Sequence, residues 1–262
     1  MKYRAFFTLL FLLAAAPAFA QEKPGQRDNM NAVLWQQHAG EYRALCFQAY
    51  NFARLRLDDF LTRYKPAKPL CVIVDADETV IDNSAFEGFE LKAGRSYDPH
   101  DWKTWTALGI ADTVPGALQF LKYAVTKNVE TFYVTNRGES ERAGTLKNLK
   151  KWGFPFADDK HLLLKSETSD KEPRRKKVGE THIIVLLCGD NLNDFSDVFM
   201  TTDEQKRNSS VNEAQVLFGQ KFIVLPNPMY GDWADALFDG KKGLTEQEKA
   251  DQRVQKLRSF QP

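Results

Sequence analysis

Apolar positions in this chain fall into short continuous runs separated by stretches of helical period. The runs Leu70 to Val74, Glu130 to Thr135, His161 to Lys165, His182 to Cys188 and Lys221 to Leu225 are rich in β-favouring residues. Each is too short for a helix and is bounded by polar or proline-containing segments, so each predicts a strand buried on both faces. Pro115 to Lys127 and Glu139 to Trp152 read as helices, the first with proline near its first turn and the second closed by Gly153. Strands and helices in alternation predict right-handed βαβ units and a parallel sheet, an α/β fold. Upstream, between Asn31 and Tyr64, Leu45, Ala49, Phe52, Ala53, Leu57, Phe60 and Leu61 recur at three- and four-residue spacing and form one apolar stripe. Pro66 and Pro69 end that helix.

Two stretches lack such a pattern. Asp82 to Ala111 has little regularity, yet it holds Phe86, Phe89, Tyr97, Trp102 and Trp105. A loop of that length inside a compact unit is expected to serve function. From Asp239 the tail is mostly charged and carries no assignable motif.

The amino end changes the picture of where the protein works. Lys2 and Arg4 precede the apolar stretch Ala5 to Ala16, and Ala18-Phe-Ala20 supplies an A-x-A cleavage site, the pattern of a secretory signal peptide over residues 1–20. Pro17 breaks the run before it reaches the about 20 apolar residues a membrane span needs. Removing Lys2 and Arg4 takes two charges from the formal +1 and leaves −1, a balanced surface with no footprint for a nucleic-acid duplex. Cys46, Cys71 and Cys188 are an odd set in an oxidising compartment, expected as buried free thiols. The expected organisation is a helical segment at 21–66, a core at 67–238 with an insert at about 83–112, and a polar tail at 239–262.

Candidate chemistry begins where the first strand ends. Leu70 to Val74 runs into Asp75 and Asp77, two carboxylates spaced two apart. Ligands of open α/β sheets bind outside the carboxyl ends of the strands, so these acids are expected at a crevice mouth. Alone, DADET also reads as a turn with a helix cap. Its company favours chemistry: Thr135 ends the second run and precedes Asn136 and Arg137, Lys171 opens a basic segment after the third, and the fourth ends at Asp190 with Asp194 four residues on.

Taken in order, Asp75/Asp77, Thr135, Lys171 and Asp190/Asp194 resemble the four motifs of the haloacid dehalogenase superfamily of phosphohydrolases. The segments DADETVIDNS, FYVTNR, SDKEPRR, GDNLNDF and LPNPMYGDW are similar to those of the class C acid phosphatases, the family of lipoprotein e(P4)-type 5′-nucleotidases. The resemblance implies a Rossmannoid parallel sheet with a small, mainly helical cap, built from the insert and the amino-terminal helices. It implies Mg²⁺ held by Asp75, the backbone carbonyl of Asp77, Asp190 and, directly or through a neighbour, Asp194. Asp75 is the expected nucleophile, Asp77 the acid and base, and Thr135 and Lys171 the grip on phosphoryl oxygens, with Lys165 a competitor for the lysine's place. Asn136 and Arg137 are expected at the substrate. Trp102 and Tyr230 match the aromatic residues that face a substrate base, and either could instead pack structure.

The implied partner is a small phosphomonoester, a nucleoside 5′-monophosphate above all, and a homodimer stays open. This chain has Gln21 where the family's lipoproteins have a cysteine, so a periplasmic or secreted protein without a membrane anchor is expected. Phosphoryl transfer to an alcohol, and a non-enzymatic binding or storage protein, are the alternatives. Retention of Asp75 speaks against the last.

Overall fold

Five parallel strands form the centre of the protein in this computed structural model, which describes residues 29–260. The signal peptide expected at residues 1–20 lies outside the described residues. Helices α1 (Met30–His38) and α2 (Gly40–Arg63) lead to strand β1 (Leu70–Val74). A short antiparallel pair, β2 (Ile81–Asp82) and β3 (Asp112–Thr113), brackets helices α3 (Ser84–Ala93) and α4 (Pro99–Leu108). Then follow α5 (Ala117–Thr126), β4 (Val129–Gly138), α6 (Arg142–Trp152), β5 (Leu162–Lys165), α7 (Glu172–Thr181) and β6 (Ile183–Gly189). Helix α8 (Glu204–Glu213), β7 (Phe222–Val224), α9 (Asp232–Ala236) and α10 (Glu246–Lys256) complete the described chain.

The strand order is β5-β4-β1-β6-β7, so β1 lies in the middle and is covered on both faces. Leu70, Val72 and Val74 pack with Tyr50, Leu57 and Leu121 of α2 and α5, while Cys71 and Ile73 pack with Val178, Phe195 and Phe199 on the other face. The alternation of side chains along a strand makes this division, and it explains why β1 is apolar at every position. Each fully buried valine or isoleucine contributes about 1.5–3 kcal/mol, so a polar substitution at Ile73 is among the changes that would break the sheet. Cys46, Cys71 and Cys188 are buried free thiols.

Three stretches differ from what periodicity alone predicts. Residues 82–111, patternless by periodicity alone, hold two helices, in keeping with the mainly helical cap that the resemblance implies, and local chemistry explains both. The Asp98 carboxylate caps α4 by accepting from His100 N at 2.7 Å, Pro99 stands in the first turn, and α3 and α4 end at left-handed Gly94 and Gly109. The tail is helical over α10, started by a reciprocal cap between Thr245 and Glu248. The amino-terminal segment divides: α1 packs on α3, whereas α2 buries Tyr42, Cys46, Tyr50, Ala53 and Leu57 in the main core.

From β1 the chain builds outward through β4 and β5, then crosses back to lay β6 on the opposite side of β1. That reversal opens a crevice at the carboxyl ends of β1 and β6.

Candidate active site

Asp75 follows β1 directly, and its N–H donates to the Cys188 carbonyl of β6 at 3.0 Å. The register pairs Val74 with Cys188, which sets Asp190, the first residue beyond β6, beside Asp75. Asp194 returns to the same point through a short 3-10 turn, where its Oδ2 accepts from Asn191 N at 2.9 Å. Gly189 makes this return possible, because a Cβ there would stand 2.3 Å from Asp194 Oδ2. Oxygens of Asp75, Asp190 and Asp194 all lie within 4.8 Å of one another.

Lys171, buried at the start of α7, bonds to Asp75 and stands 2.6 Å from Asp194 Oδ1. Lys165, the competitor, is exposed at the end of β5. Burial pushes Asp75 up to about 7 against the opposing pull of Lys171, with Asp194 and Asp77 adding to the rise. Asp190 is raised well above the usual carboxylate range by burial and by Asp194 and Asp75. Burial alone would lower Lys171, but Asp194 and Asp75 outweigh it and raise the ammonium. Three acids thus share one cation. An all-oxygen donor set with excess negative charge fits a hard divalent cation, which would complete the charge balance. Thr79 Oγ1 and Asn227 Nδ2 donate to the two oxygens of Asp190 at 3.3 and 2.8 Å and fix its plane.

The Asp77 carboxylate lies outside this cluster. Arg137 donates to its Oδ1 from Nη2 at 2.7 Å and Nε at 3.0 Å, and Asn83 Nδ2 donates at 2.8 Å. Of the expected metal donors, Asp77 therefore keeps only its backbone carbonyl. Thr135 Oγ1 is 3.5 Å from Asp77 Oδ2 and accepts from Arg137 N at 3.1 Å, and its side chain is fully buried. Asn136 is exposed and accepts from Arg174 Nη2 at 2.7 Å.

A cavity of about 1010 Å³ opens above the cluster, lined among others by Trp102 of the cap, Arg137 of β4, Tyr230 and Trp233. Trp102 meets Phe86 edge-on at 5.1 Å, and the Arg137 guanidinium sits over its ring at 5.4 Å. The Tyr230 hydroxyl donates to Glu78.

Sequence reasoning passed over Glu78, Asn83 and Arg174. Glu78 is fully buried at a positive φ of 54° and receives Asn83 N at 2.7 Å, while burial and then Asp77 raise its carboxyl well above the ordinary value. Asn83 Oδ1 accepts from Trp105 Nε1 of α4 at 2.9 Å while its Nδ2 donates to Asp77, which ties the cap to the loop after β1. Arg174 donates to the Thr135 carbonyl at 2.6 Å. A signal existed for Arg174 in the K-x-x-R spacing from Lys171; for Glu78 it was only a third acid directly after Asp75 and Asp77.

This fold and this set of side chains agree with the comparisons to known proteins. The family described as HAD superfamily, subfamily IIIB (acid phosphatase) matches residues 17–233. The chain belongs to that family of haloacid dehalogenase-type acid phosphatases. Two solved structures of the class C acid phosphatase from Bacillus anthracis, one with tungstate bound, are 39% identical to it with TM-scores of 0.86 and 0.85. Each match covers 90% of this chain and 99% of that one. Acid phosphatase 1 of Solanum lycopersicum is 26% identical over 167 residues, which is 60% of this chain and 57% of the tomato protein's length.

Proposed function

We propose that this protein is an exported, Mg²⁺-dependent acid phosphatase that hydrolyses phosphomonoesters, nucleoside 5′-monophosphates among them, through a phosphorylated Asp75. The juxtaposition of Asp75, Asp190, Asp194 and Lys171 at the crevice between β1 and β6 carries this reading. Tungstate, bound in a solved relative, is a tetrahedral oxyanion like phosphate and supports it. Export rests on the A-x-A pattern at residues 18–20, and among the described residues no helix is long and apolar enough to cross a membrane.

Attack by a carboxylate on a phosphoryl dianion brings like charges together, so the site must supply positive charge. Asp75, Asp190, Asp194 and the Asp77 carbonyl would hold Mg²⁺, which when bound neutralises charge on the phosphoryl oxygens. Lys171 adds a buried ammonium beside the nucleophile. An Asp75 oxygen forms the new bond to phosphorus as the ester P–O bond breaks and its electron pair leaves with the alkoxide. Asp77 protonates that oxygen. Asp77, now a carboxylate, takes a proton from the water that attacks the acyl phosphate, and phosphate departs from Asp75. Arg137 and Asn83 hold Asp77 in the orientation both transfers need. The aromatic walls at Trp102 and Tyr230 give a nucleobase two faces to lie against.

Purified protein is expected to release phosphate from p-nitrophenyl phosphate and nucleoside 5′-monophosphates, to stop when a chelator is added, and to lose turnover in Asp75→Asn while staying folded. Lys171 keeps Asp194 as a partner in that variant. Undiminished turnover by Asp75→Asn would remove Asp75 from the mechanism.

A further inference from the structure

The cavity above Asp75 has room for more than a phosphoryl group. Its volume of about 1010 Å³ stands at the upper end of the about 300–1,000 Å³ usual for small-ligand sites. Part of its lining comes from the carboxyl end of the chain, where Lys241, Lys242, Lys249 and Arg253 border it. These residues fall beyond the family match, which ends at residue 233.

The wall is built and not a loose end. Helix α10 presents its half-buried positions Glu246, Lys249, Ala250, Gln252 and Arg253 on one side of the helix. Lys256 bonds Glu204 of α8 at 3.0 Å, and the Arg253 guanidinium lies over buried Phe238 at 5.4 Å. Lys241 and Lys242 follow a sharp turn at Gly240, whose φ of 70° and 2.6 Å approach of a would-be Cβ to Thr202 Oγ1 suit only glycine. Lys241 N then donates to the Phe238 carbonyl at 2.9 Å.

The charges on this wall are unevenly matched. Lys249 is paired with Glu246 at 2.8 Å. Among the described residues, no carboxylate stands within ion-pair distance of Lys241 or Lys242, although both line the cavity that holds the catalytic acids. Asp232 and Asp235 of α9 line the same cavity, so the lysines are a basic pair within a largely acidic lining.

From this arrangement we infer that Lys241 and Lys242 form a subsite for a second anionic group on the substrate, remote from the phosphate being cleaved. The inference rests on the phosphatase reading above and narrows its substrate class to phosphomonoesters carrying a further phosphate or carboxylate, such as nucleoside bisphosphates. The scissile phosphate occupies the Asp75 and Lys171 end, the base meets the aromatic lining, and the second anion on the ribose or elsewhere meets the lysine pair. Exposed ion pairs are individually weak, so the pair acts on binding and not on chemistry.

The test compares adenosine 3′,5′-bisphosphate, adenosine 5′-monophosphate and p-nitrophenyl phosphate as substrates of the full chain and of Lys241→Gln/Lys242→Gln. The variant is expected to raise KM for the bisphosphate about three- to tenfold at low salt, with kcat unchanged and both monophosphates unaffected. Raised salt should shrink the difference, as it does for exposed charges. Lys241→Glu/Lys242→Glu should enlarge it. An equal KM change for all three substrates would mean general steering of anions, and no change would mean a solvated surface pair; either overturns the subsite. Absence of turnover on every substrate in the unaltered protein would instead bring down the phosphatase reading, and the subsite with it.

Discussion

Arg137 grips Asp77 with two nitrogens, Nη2 at 2.7 Å and Nε at 3.0 Å from the same carboxylate oxygen. The arginine is 3% exposed and also donates to Thr145 Oγ1 at 3.1 Å and Asn83 Oδ1 at 3.2 Å. A residue expected at the substrate is thus also the clamp on the proposed acid and base.

Arg137→Lys keeps the charge and loses the planar fork. The carboxylate of Asp77 is then free to rotate, and misplacement of a reacting group by about 1 Å can cost on the order of a hundredfold. Steady-state kinetics should show kcat falling about 10- to 100-fold, with a smaller change in KM for p-nitrophenyl phosphate. A rise in KM alone would mark Arg137 as a pure substrate contact.

The acid cluster makes stability depend on pH in an unusual direction. Burial raises Asp75 to about 7 and raises Asp190 as well, so between the ordinary aspartate range and pH 7 the folded protein holds protons that the unfolded chain has released. Without metal, stability should therefore fall as pH rises through that window. Mg²⁺ at a hundredfold excess over Kd should raise Tm by about 5–10 °C at pH 8 and by much less at pH 5, where protons compete for the same oxygens. Thermal unfolding with and without chelator at the two pH values checks this, and equal shifts at both would refute the competition.

Trp102→Ala is expected to raise KM for a nucleoside monophosphate about tenfold and KM for a small aryl phosphate less. The ring is held edge-on by Phe86 and topped by Arg137, so its removal also loosens the clamp on Asp77. Trp102→Phe should restore kcat before it restores nucleotide KM. Equal effects of Trp102→Ala on both substrates would assign the ring to structure alone.

At the opposite end of the sheet, Glu130 Oε2 accepts from His161 Nε2 at 2.9 Å and Lys160 Nζ at 3.3 Å, and stands 3.5 Å from His182 Nε2. The bond from His161, ahead of opposing desolvation and the Lys160 bond, holds the Glu130 carboxyl below the usual glutamate range. Its stabilisation is present above the ordinary glutamate value and is lost as pH falls through the lowered one. Glu130→Gln should cost about 1–2 kcal/mol at neutral pH, flatten the acid side of the stability curve, and leave kcat intact. Denaturant unfolding at pH 7 and pH 4 measures it, and an identical loss at both would argue against the ionised bond.

Much of the scaffold was legible in the residues because it is local. The core strands are mostly apolar, since both faces of the sheet are covered, and β1, β4 and β6 carry Asp75, Thr135 and Asp190 at or just past the ends of their apolar runs. The helices of residues 82–111 escaped the pattern because their stability is tertiary: Phe86 and Trp105 pack inward while Phe89 and Leu108 stay exposed, which blurs the periodicity. Their caps at Asp98-Pro99, Gly94 and Gly109 were nevertheless written in the chain. Helix α10 was hidden by its charge, because it buries no residue fully.

By itself the sequence determined the acids, their order and the strands that deliver them, because strand formation and strand ends depend on neighbours in the chain. Only the tertiary structure decided that Arg137 serves Asp77, 60 residues away, that Lys171 reaches Asp75 across 96, and that Glu78 receives Tyr230 across 152. Those partnerships follow from which strands lie side by side and in what register. A chain read in one dimension carries no distance between residues that the fold brings together.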